Sequence, residues 1–411
     1  MQSKSFWFSA VLVVLVFATA GPAAATGNGP VAPLMGADAA GAMPGRYIVV
    51  MKDGVDAASV DAAVTEAALA TVGATRDSIG PEALKQAGIE VNYRYSSALV
   101  GFAGSLPEPA VAALRRNPKV AYIEVDQVIR IDTTQTPATW GLDRIDQPNL
   151  PLNNSYTYNY TGAGVTAYII DTGILTSHTE FGGRASVGAD TVGDGRNGID
   201  CHGHGTHVAG TVGGSTYGVA KGVSLVAVRV LDCSGSGAYS GVIAGVDWVK
   251  ANHHDPAVAN MSLGGGISTA LDTAVTNSIN AGVTYAIAAG NSNADACKYS
   301  PARTPAAITV GATTTTDARA SYSNYGKCLD IFAPGSSVTS AWNTSNTATI
   351  TISGTSMATP HVAGAAALYL QKSPLSTPQQ VRDALVNKAT SGKVTNPGSK
   401  SPNKLLYTMF F

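Results

Sequence analysis

Three polar residues, Asp171, His204 and Ser356, lie where structural elements are expected to end or begin. Asp171 follows the apolar run YII, His204 stands in GHGTHVAG, and Ser356 stands in GTSMATPHVAG. A serine hydroxyl is a weak nucleophile until an imidazole removes its proton, and the imidazole needs a carboxylate that orients it and stabilises its charged form. Each residue alone is typical of a turn or a helix cap. Together they predict acyl transfer through a serine nucleophile.

A fourth residue, Asn291, meets the remaining requirement of that reaction. Attack on an acyl group creates an oxyanion, which needs hydrogen-bond donors aimed at it. The apolar run 284–289 leads into Gly290 and Asn291, so a side-chain amide is expected at the end of a strand. This amide and the backbone N–H of Ser356 at its helix start form a predicted oxyanion site.

The segment after residue 133 alternates short apolar runs with helical patterns of small residues. The runs are 165–170, 225–230, 284–289 and 307–310, and the helical candidates are 204–213, 240–252, 271–281 and 356–371. Continuous apolar runs of this length are typical of parallel strands covered on both faces. The alternation predicts an α/β domain with a central parallel sheet and with functional groups at the carboxyl ends of its strands.

The segment before residue 132 predicts a separate, smaller α+β unit. Strands are expected at 46–52, 93–102 and 120–125, and helices at 56–70 and 108–116, so that the folded part spans about residues 45–126. The polar stretch DTTQTP at 132–137 follows it. A polar segment without an apolar period that ends in proline is typical of a cleavable linker.

The first 25 residues predict a secretory signal peptide. Lys4 is followed by an apolar run at 6–20 and by the small residues Ala23 to Ala25, after which we expect cleavage. A membrane anchor is the alternative, but the run is shorter than the roughly 18 to 20 apolar residues that a spanning helix needs. No later stretch of the sequence is apolar for long enough. We therefore expect a secreted protein that has no membrane contact once the signal is removed.

The charge balance argues against a nucleic-acid binder. The 411 residues include 26 Lys and Arg against 27 Asp and Glu, a net charge of −1, and only 13% of the residues are charged. Binding nucleic acid through bulk electrostatics requires a basic excess. We expect no nucleic-acid partner.

The four cysteines predict disulfides, because the expected compartment is oxidising. Three pairings are possible, and Cys201 with Cys233 and Cys297 with Cys328 form two local pairs. Each pair closes a loop of about 30 residues, which the chain-entropy estimate values at roughly 3 to 4 kcal/mol. A zinc site is the competing interpretation, and the sequence has no C-x-x-C spacing to support it.

Five motifs in order, YIIDTG, GHGTHVAG, SLGG, AAGN and GTSMATPHVAG, resemble those of the subtilisin-like serine proteases. DCHGHGTHVAG, VLDCSGSG, NMSLGGG and YSPAR are similar to the proteinase K branch, especially to its aqualysin-type bacterial members. The resemblance extends from about Thr133 to the C-terminus. It implies a subtilisin-like α/β fold, with a central parallel sheet flanked by helices. It also implies that the small unit is an inhibitory propeptide of ferredoxin-like α+β fold.

The resemblance assigns roles to individual residues. Ser356 would be the nucleophile, His204 the general base and then acid, Asp171 its orienting partner, and Asn291 the oxyanion donor. Segments 234–237 and 262–264 would hold a polypeptide substrate as an extended strand between them. The implied substrate-binding residues are Gly235, Ser262, Leu263, Gly264, Ala288, Ala289 and Gly290. The small residues at 288–290 leave room for a large apolar side chain before the cut.

The resemblance also suggests the same two disulfides and a structural calcium ion. The carbonyls of Pro305 and Ala307 and the carboxylate of Asp330 would form an all-oxygen ligand set, which suits Ca²⁺. The alternative for Asp330 is an ordinary loop or salt-bridge residue. We expect no catalytic metal and a monomeric enzyme.

Three segments are predicted on this basis. Residues 1–25 are the signal peptide, residues 26–132 are the propeptide, and residues 133–411 are the catalytic domain. The propeptide is expected to act as an intramolecular inhibitor. Autocatalytic cleavage is expected near Asp132 and Thr133.

Two other functions compete with this hypothesis. His202, His204 and His207 form H-x-H-x-x-H, similar to metallo-hydrolase ligands, but Thr206 stands where the metallo-β-lactamase pattern has Asp. The second is a catalytically inert secreted binding protein of the same fold. Such a protein is expected to lack one catalytic group, whereas all four are present in the sequence.

Overall fold

The computed structural model describes residues 31–38, 42–72, 80–127 and 133–411. The chain forms two compact units, one up to Ile129 and one from Arg130. The predicted signal peptide at 1–25 and Asp132 of the predicted cleavage site lie outside the described residues. Among the helices of the described ranges, none has the length and apolar character needed to cross a membrane.

The first unit is a five-stranded sheet covered by helices. Its elements are β1 (Leu34–Met35), β2 (Ala42–Met51), α1 (Ala58–Val72), α2 (Pro81–Gln86), β3 (Glu90–Tyr95), β4 (Gly101–Ser105), α3 (Glu108–Arg116) and β5 (Val120–Gln127). The strand order is β1-β5-β2-β4-β3, with β1 parallel to β5 and the other pairs antiparallel. Val49, Phe102 and Ile123 of the sheet pack with Val64 of α1 and Leu114 of α3. The predicted α+β character is confirmed.

One predicted strand of this unit was wrong. The run 93–102 is divided between β3 and β4, which pair antiparallel across the intervening bend at 96–100. Ser96 and Ser97 interrupt the apolar pattern there and separate the two strands. The predicted helix at 108–116 coincides with α3.

The second unit contains the larger sheet. Its elements up to the middle of the unit are β6 (Thr133–Gln135), α4 (Trp140–Ile145), β7 (Tyr156–Tyr158), β8 (Thr166–Asp171), β9 (Ala185–Asp190), α5 (His204–Gly213), β10 (Ser224–Arg229), α6 (Tyr239–Asn252), β11 (Ala257–Met261) and α7 (Thr269–Ile279). The remaining elements are β12 (Thr284–Ala288), β13 (Ile308–Thr313), β14 (Ile331–Pro334), β15 (Val338–Ala341), β16 (Thr349–Ile352), α8 (Thr355–Lys372), α9 (Pro378–Lys388), β17 (Thr390–Ser391) and β18 (Lys404–Leu405).

Nine strands form the central sheet of the second unit, in the order β17-β18-β14-β13-β12-β11-β8-β10-β9. Every neighbouring pair is parallel except β17 with β18. Parallel pairing directs the carboxyl ends of β8, β11 and β12 to one edge, where loops are free to carry function. The predicted central parallel sheet is confirmed.

Both faces of this sheet are covered by helices. Ile169 of β8 packs with Val208 of α5 and Val362 of α8. The next residue of the strand, Ile170, points to the other face and packs with Val246 of α6. This double burial explains why β8 is apolar at successive positions and ends at its first charged residue.

Both predicted disulfides are present in the second unit. The Cα atoms of Cys201 and Cys233 are 5.0 Å apart, and those of Cys297 and Cys328 are 5.3 Å apart. The first bond joins the segment before α5 to the segment before residues 234–237.

Candidate active site

Asp171 is the last residue of β8, and its side chain is fully buried. One carboxylate oxygen, Oδ1, lies 2.8 Å from Nδ1 of His204 and accepts a hydrogen bond from Thr172 N at 2.7 Å. A buried carboxylate that accepts from Nδ1–H selects the tautomer whose Nε2 is unprotonated. The other carboxylate oxygen, Oδ2, is buried without a hydrogen-bond partner among the described residues.

His204 is the first residue of α5 and follows Gly203, whose φ is 109°. A Cβ at Gly203 would lie 2.5 Å from the Trp342 ring, so this tight entry to the helix requires glycine. Burial lowers the pKa of His204, but the charge and hydrogen bond of Asp171, together with the charge of Asp200, outweigh it and raise the pKa above its ordinary value. The surroundings of His204 therefore stabilise the protonated, positively charged form of its imidazole.

Ser356 is the second residue of α8, and Gly354 precedes the helix with extended backbone. Its hydroxyl donates to the carbonyl of Ser262 at 3.1 Å, and its own carbonyl accepts from the Ser262 hydroxyl at 2.8 Å. These two bonds fasten the helix start to the segment that follows β11. In this conformation the Ser356 hydroxyl is turned toward Ser262 and away from a hydrogen bond with His204.

Asn291 lies after β12, facing the start of α8. Its Oδ1 accepts from the backbone N–H and from the hydroxyl of Thr355, both at 2.9 Å. Since the amide oxygen is committed, the Nδ2 donor is directed away from Thr355. Gly290, with φ of 100°, donates its N–H to the same threonine hydroxyl at 3.1 Å. The amide that the sequence predicted at this strand end is thus held in one orientation.

Two adjoining pockets lie beside these groups and share the segment 262–264. The first, about 430 Å³, is lined by His202, His204 and residues 234–237. The second, about 290 Å³, is lined by residues 288–292 and by Ser356. The structure brings all of the predicted substrate-binding residues to the walls of one or both pockets, namely Gly235, Ser262, Leu263, Gly264, Ala288, Ala289 and Gly290.

Asp330, the one carboxylate among the predicted calcium ligands, is already paired with protein groups. Both carboxylate oxygens of Asp330 are already engaged, Oδ1 by the Arg382 guanidinium of α9 and Oδ2 by the backbone N–H of Thr309 at 2.8 Å. Burial raises the pKa of Asp330 despite the opposing charge of Arg382. A calcium ion bound by Pro305, Ala307 and Asp330 would have to displace the Arg382 guanidinium. In the structure Asp330 is a salt-bridge residue, which was the alternative to a calcium ligand.

The three histidines of the metallo-hydrolase hypothesis do not converge. His204 Nδ1 is occupied by Asp171, and His207 Nε2 lies 3.1 Å from the carbonyl of Val338. Burial lowers the pKa of His207 to about 4. In the part of the chain that the structure describes, the only close group of three metal-ligating side chains is Asp194, Cys201 and Cys233, and both of its cysteines are in a disulfide.

Several features that shape the site were not predicted from the sequence. Thr355 orients Asn291, and Tyr299 lines the second pocket. Ser262 was predicted as a substrate-binding residue, but the hydrogen bond by which its side chain anchors the α8 start was not. Asp200, four residues before His204, accepts hydrogen bonds on both of its oxygens. The only signal was its place in DCHGHGTH, which does not say what its carboxylate contacts.

Comparison with known families gives two matches. Residues 162–404 match the family described as Subtilase family, and residues 46–132 match Peptidase inhibitor I9. The two matched regions correspond to the large and the small unit of the chain.

Individual relatives agree with these matches. The extracellular serine proteinase of Thermus sp. (strain Rt41A) is 59% identical over 413 residues, covering all of both chains. The alkaline serine exoprotease A of Vibrio alginolyticus is 57% identical over 327 residues, which are 78% of this chain and 61% of that protein. A solved cold-adapted subtilisin-like serine proteinase has 59% identity and a TM-score of 0.65, covering 67% of this chain and 99% of its own.

Proposed function

The chain belongs to the subtilase family, and on that premise we propose that it is the zymogen of a secreted serine endopeptidase. The observation that carries the proposal is the Asp171–His204 hydrogen bond of 2.8 Å beside two adjoining pockets, of which His204 lines the first and Ser356 and Asn291 line the second. A buried carboxylate, an imidazole, a hydroxyl and an amide donor are the groups that peptide-bond hydrolysis by a serine nucleophile needs.

The reaction begins at Ser356. Rotation of its side chain away from Ser262 directs the hydroxyl to Nε2 of His204, which removes the proton as Oγ attacks the peptide carbonyl carbon. Nδ1–H of His204 stays bonded to Asp171, which stabilises the imidazolium. Hydrogen bonds in catalytic sites without substrate are commonly incomplete, so the conformation of Ser356 is compatible with this step.

The oxyanion formed by this attack is stabilised by neutral donors. Nδ2 of Asn291 and the backbone N–H of Ser356 donate to it, and Thr355 keeps the amide oriented by holding its oxygen. His204 then passes its proton to the leaving amine, which breaks the peptide bond and leaves an acyl group on Ser356. Water attacks that ester with His204 again as base, releasing the acid and restoring the hydroxyl.

Polypeptide substrates bind as extended strands between segments 234–237 and 262–264. Both segments border the first pocket, and pairing through the backbone accepts many side chains. The side chain before the cut enters the pocket lined by Ala288, Ala289 and Gly290. Binding through the backbone needs no charge attraction between enzyme and substrate, in keeping with the low content of charged residues, 13% of the full chain. We propose that the mature enzyme is a monomer without a nucleic-acid partner.

Maturation removes two segments. Residues 1–25 direct secretion, and residues 26–132 inhibit the enzyme until self-cleavage near Asp132 and Thr133. The I9 match to residues 46–132 supports this boundary, and Thr133 is the first residue of β6 in the catalytic unit. Intact mass and N-terminal sequencing of the secreted protein test both cleavage sites at once.

The mechanism uses no catalytic metal, and a structural calcium ion at Asp330 is outside the proposal as the side chains stand. Thermal unfolding with and without a calcium chelator tests that site. If the chelator lowers the unfolding temperature of the wild type but not that of Asp330→Asn, a calcium ion binds at Asp330. The ion pair with Arg382 would then be broken when calcium is bound.

Irreversible labelling by a serine-directed phosphonyl fluoride tests the proposed function. The mature protein is expected to react once per chain, at Ser356, with loss of peptidase activity. Labelling should be absent in Ser356→Ala and insensitive to a zinc chelator. An unlabelled but active protein would contradict the serine mechanism.

A further inference from the structure

Asp200 carries a buried carboxylate with five hydrogen bonds beside the candidate catalytic pair. Its side chain belongs to a residue that is only 5% exposed. Oδ1 accepts from the Thr172 hydroxyl at 2.9 Å, from His202 N at 2.9 Å and from Gly203 N at 2.8 Å. Oδ2 accepts from Thr206 N at 2.9 Å and from the Thr206 hydroxyl at 2.6 Å. All five partners are donors, which is the arrangement that suits an ionised carboxylate.

These bonds join the two elements that carry Asp171 and His204. Thr172 immediately follows Asp171, and its hydroxyl also accepts from Gly205 N at 2.9 Å. The path from Asp200 through Thr172 to Gly205 therefore fastens the end of β8 to the first turn of α5. The Asp171–His204 hydrogen bond crosses the same gap between the two elements.

Helix capping accounts for part of this arrangement. A carboxylate before a helix commonly accepts from the N–H groups of its first turn, as Asp200 does with Thr206. Capping does not account for the bond from the Thr172 side chain, which comes from another element. It also does not account for the second negative charge beside His204.

We propose that Asp200 is a positioning residue for catalysis, which holds His204 against Asp171 through Thr172 and the α5 start and whose charge favours the imidazolium. This inference rests on the proposed function of His204 as general base. Four titratable groups interact with His204 or lie close to it. Asp171 is hydrogen-bonded to Nδ1, and the ring centroid of His202 is 6.3 Å away. Asp200 from the preceding segment and His207, one turn later on α5, interact with His204 electrostatically. Asp171 and Asp200 are the two that raise the pKa of His204.

The test compares three variants of the secreted, matured enzyme, with active sites counted by phosphonyl fluoride. Asp200→Asn keeps the shape of the side chain and removes its charge. Asp200→Glu keeps the charge and displaces it. Asp194→Asn is the matched control, because Asp194 lies in the same segment and accepts from Arg229 at 2.6 and 2.7 Å.

Asp200→Asn is expected to lower kcat per active site roughly 10- to 100-fold, the scale of a small misplacement of a catalytic group, with KM little changed. In this variant the rise of kcat/KM with pH should occur at lower pH, because the loss of a negative charge lowers the pKa of His204. Asp200→Glu should lower kcat and leave this rise at the wild-type pH. Asp194→Asn should change neither quantity.

A wild-type kcat, or a wild-type pH midpoint, in Asp200→Asn would overturn the proposal, because a purely structural role changes the number of active sites and not the midpoint. If Asp200→Asn does not mature, Thr172→Val is measured instead. It leaves both carboxylates in place and should lower kcat roughly tenfold with an unchanged midpoint. A wild-type kcat in Thr172→Val would equally overturn the proposal. Failure of the serine mechanism itself would look different, because the wild type would then not be labelled.

Discussion

The starts of α5 and α8 are built alike and charged differently. Each helix follows a glycine and presents a candidate catalytic side chain in its first turn, His204 on α5 and Ser356 on α8. Around the α5 start stand two buried carboxylates, Asp171 and Asp200. Around the α8 start the side chains that form hydrogen bonds are neutral, the amide of Asn291 and the hydroxyls of Thr355 and Ser262.

The difference follows from the charge that each site must stabilise. The N-terminus of a helix carries a partial positive charge, which opposes a cation and favours an anion. His204 becomes positive during the reaction, so carboxylates at the α5 start are needed to outweigh the helix. The oxyanion is negative, so the α8 start is effective when no carboxylate competes for its donors. The same helix geometry therefore serves both charges through the choice of neighbours.

Removing the nucleophile from the α8 start should have the largest effect. Ser356→Ala is expected to lower kcat by a factor of roughly one million, the loss seen when a serine nucleophile is deleted. Because we expect removal of the propeptide to be autocatalytic, the variant should also accumulate as an unprocessed precursor. Gel analysis and intact mass of the product check this. Normal processing in a protease-free host would disprove self-cleavage.

Placing a carboxylate at the α8 start should have the next largest effect. Asn291→Asp keeps the oxygen that accepts from Thr355 but replaces the Nδ2 donor with a negatively charged acceptor. We expect kcat to fall by at least about 100 to 1,000-fold, the usual cost of one oxyanion donor, with little change in KM.

The matched control for this substitution is Asn293→Asp, which adds the same charge two residues away. Asn293 has a φ of 49°, a conformation that aspartate also tolerates. Steady-state kinetics of both variants should show a loss in Asn291→Asp alone. Equal losses would mean that charge in the loop matters and that the amide donor does not.

The two carboxylates at the α5 start should raise the pH at which kcat/KM of the wild type increases. His204 must be neutral to act as base, and its pKa is raised, so kcat/KM should rise with a midpoint above the ordinary histidine value of about 6.5. Below that midpoint the rate should fall about tenfold per pH unit. His207 and His361, with pKa lowered by burial to about 4, remain neutral across this range. A profile flat from about pH 5 to 9 would count against His204 as base.

Oxidation of Met357, which lies in the first turn of α8, should have the smallest effect. Met357 follows the nucleophile, and peroxide converts its thioether into a polar sulfoxide, which its buried environment opposes. We expect slow, partial inactivation by peroxide, because only 1% of Met357 is exposed. Met357→Ala should be inactivated more slowly under the same treatment. Equal rates in the two proteins would assign the sensitivity to another residue.

Local patterns predicted the elements that carry the site with good accuracy. The helix expected at 204–213 coincides with α5, and the one expected at 356–371 lies within α8 (Thr355–Lys372). Glycines before both helices and apolar spacing within them are local signals. In contrast, β11 (Ala257–Met261) was not predicted, because Asn260 interrupts a short run of small residues. Nδ2 of this buried amide donates to the Ser262 hydroxyl at 2.8 Å, whereas its Oδ1 is buried without a hydrogen-bond partner among the described residues.

The sequence by itself determined which chemical groups are available and their order along the chain. Asp171, His204, Asn291 and Ser356 were recognisable because each stands in a motif that its own neighbours define. Only the tertiary structure decided that Asp200 accepts from Thr172, 28 residues away in the chain. It also decided that Asp330 pairs with Arg382, 52 residues away, where a calcium ligand had been expected. Contacts of this kind depend on how distant elements pack, and no local periodicity encodes the direction in which a carboxylate finally points.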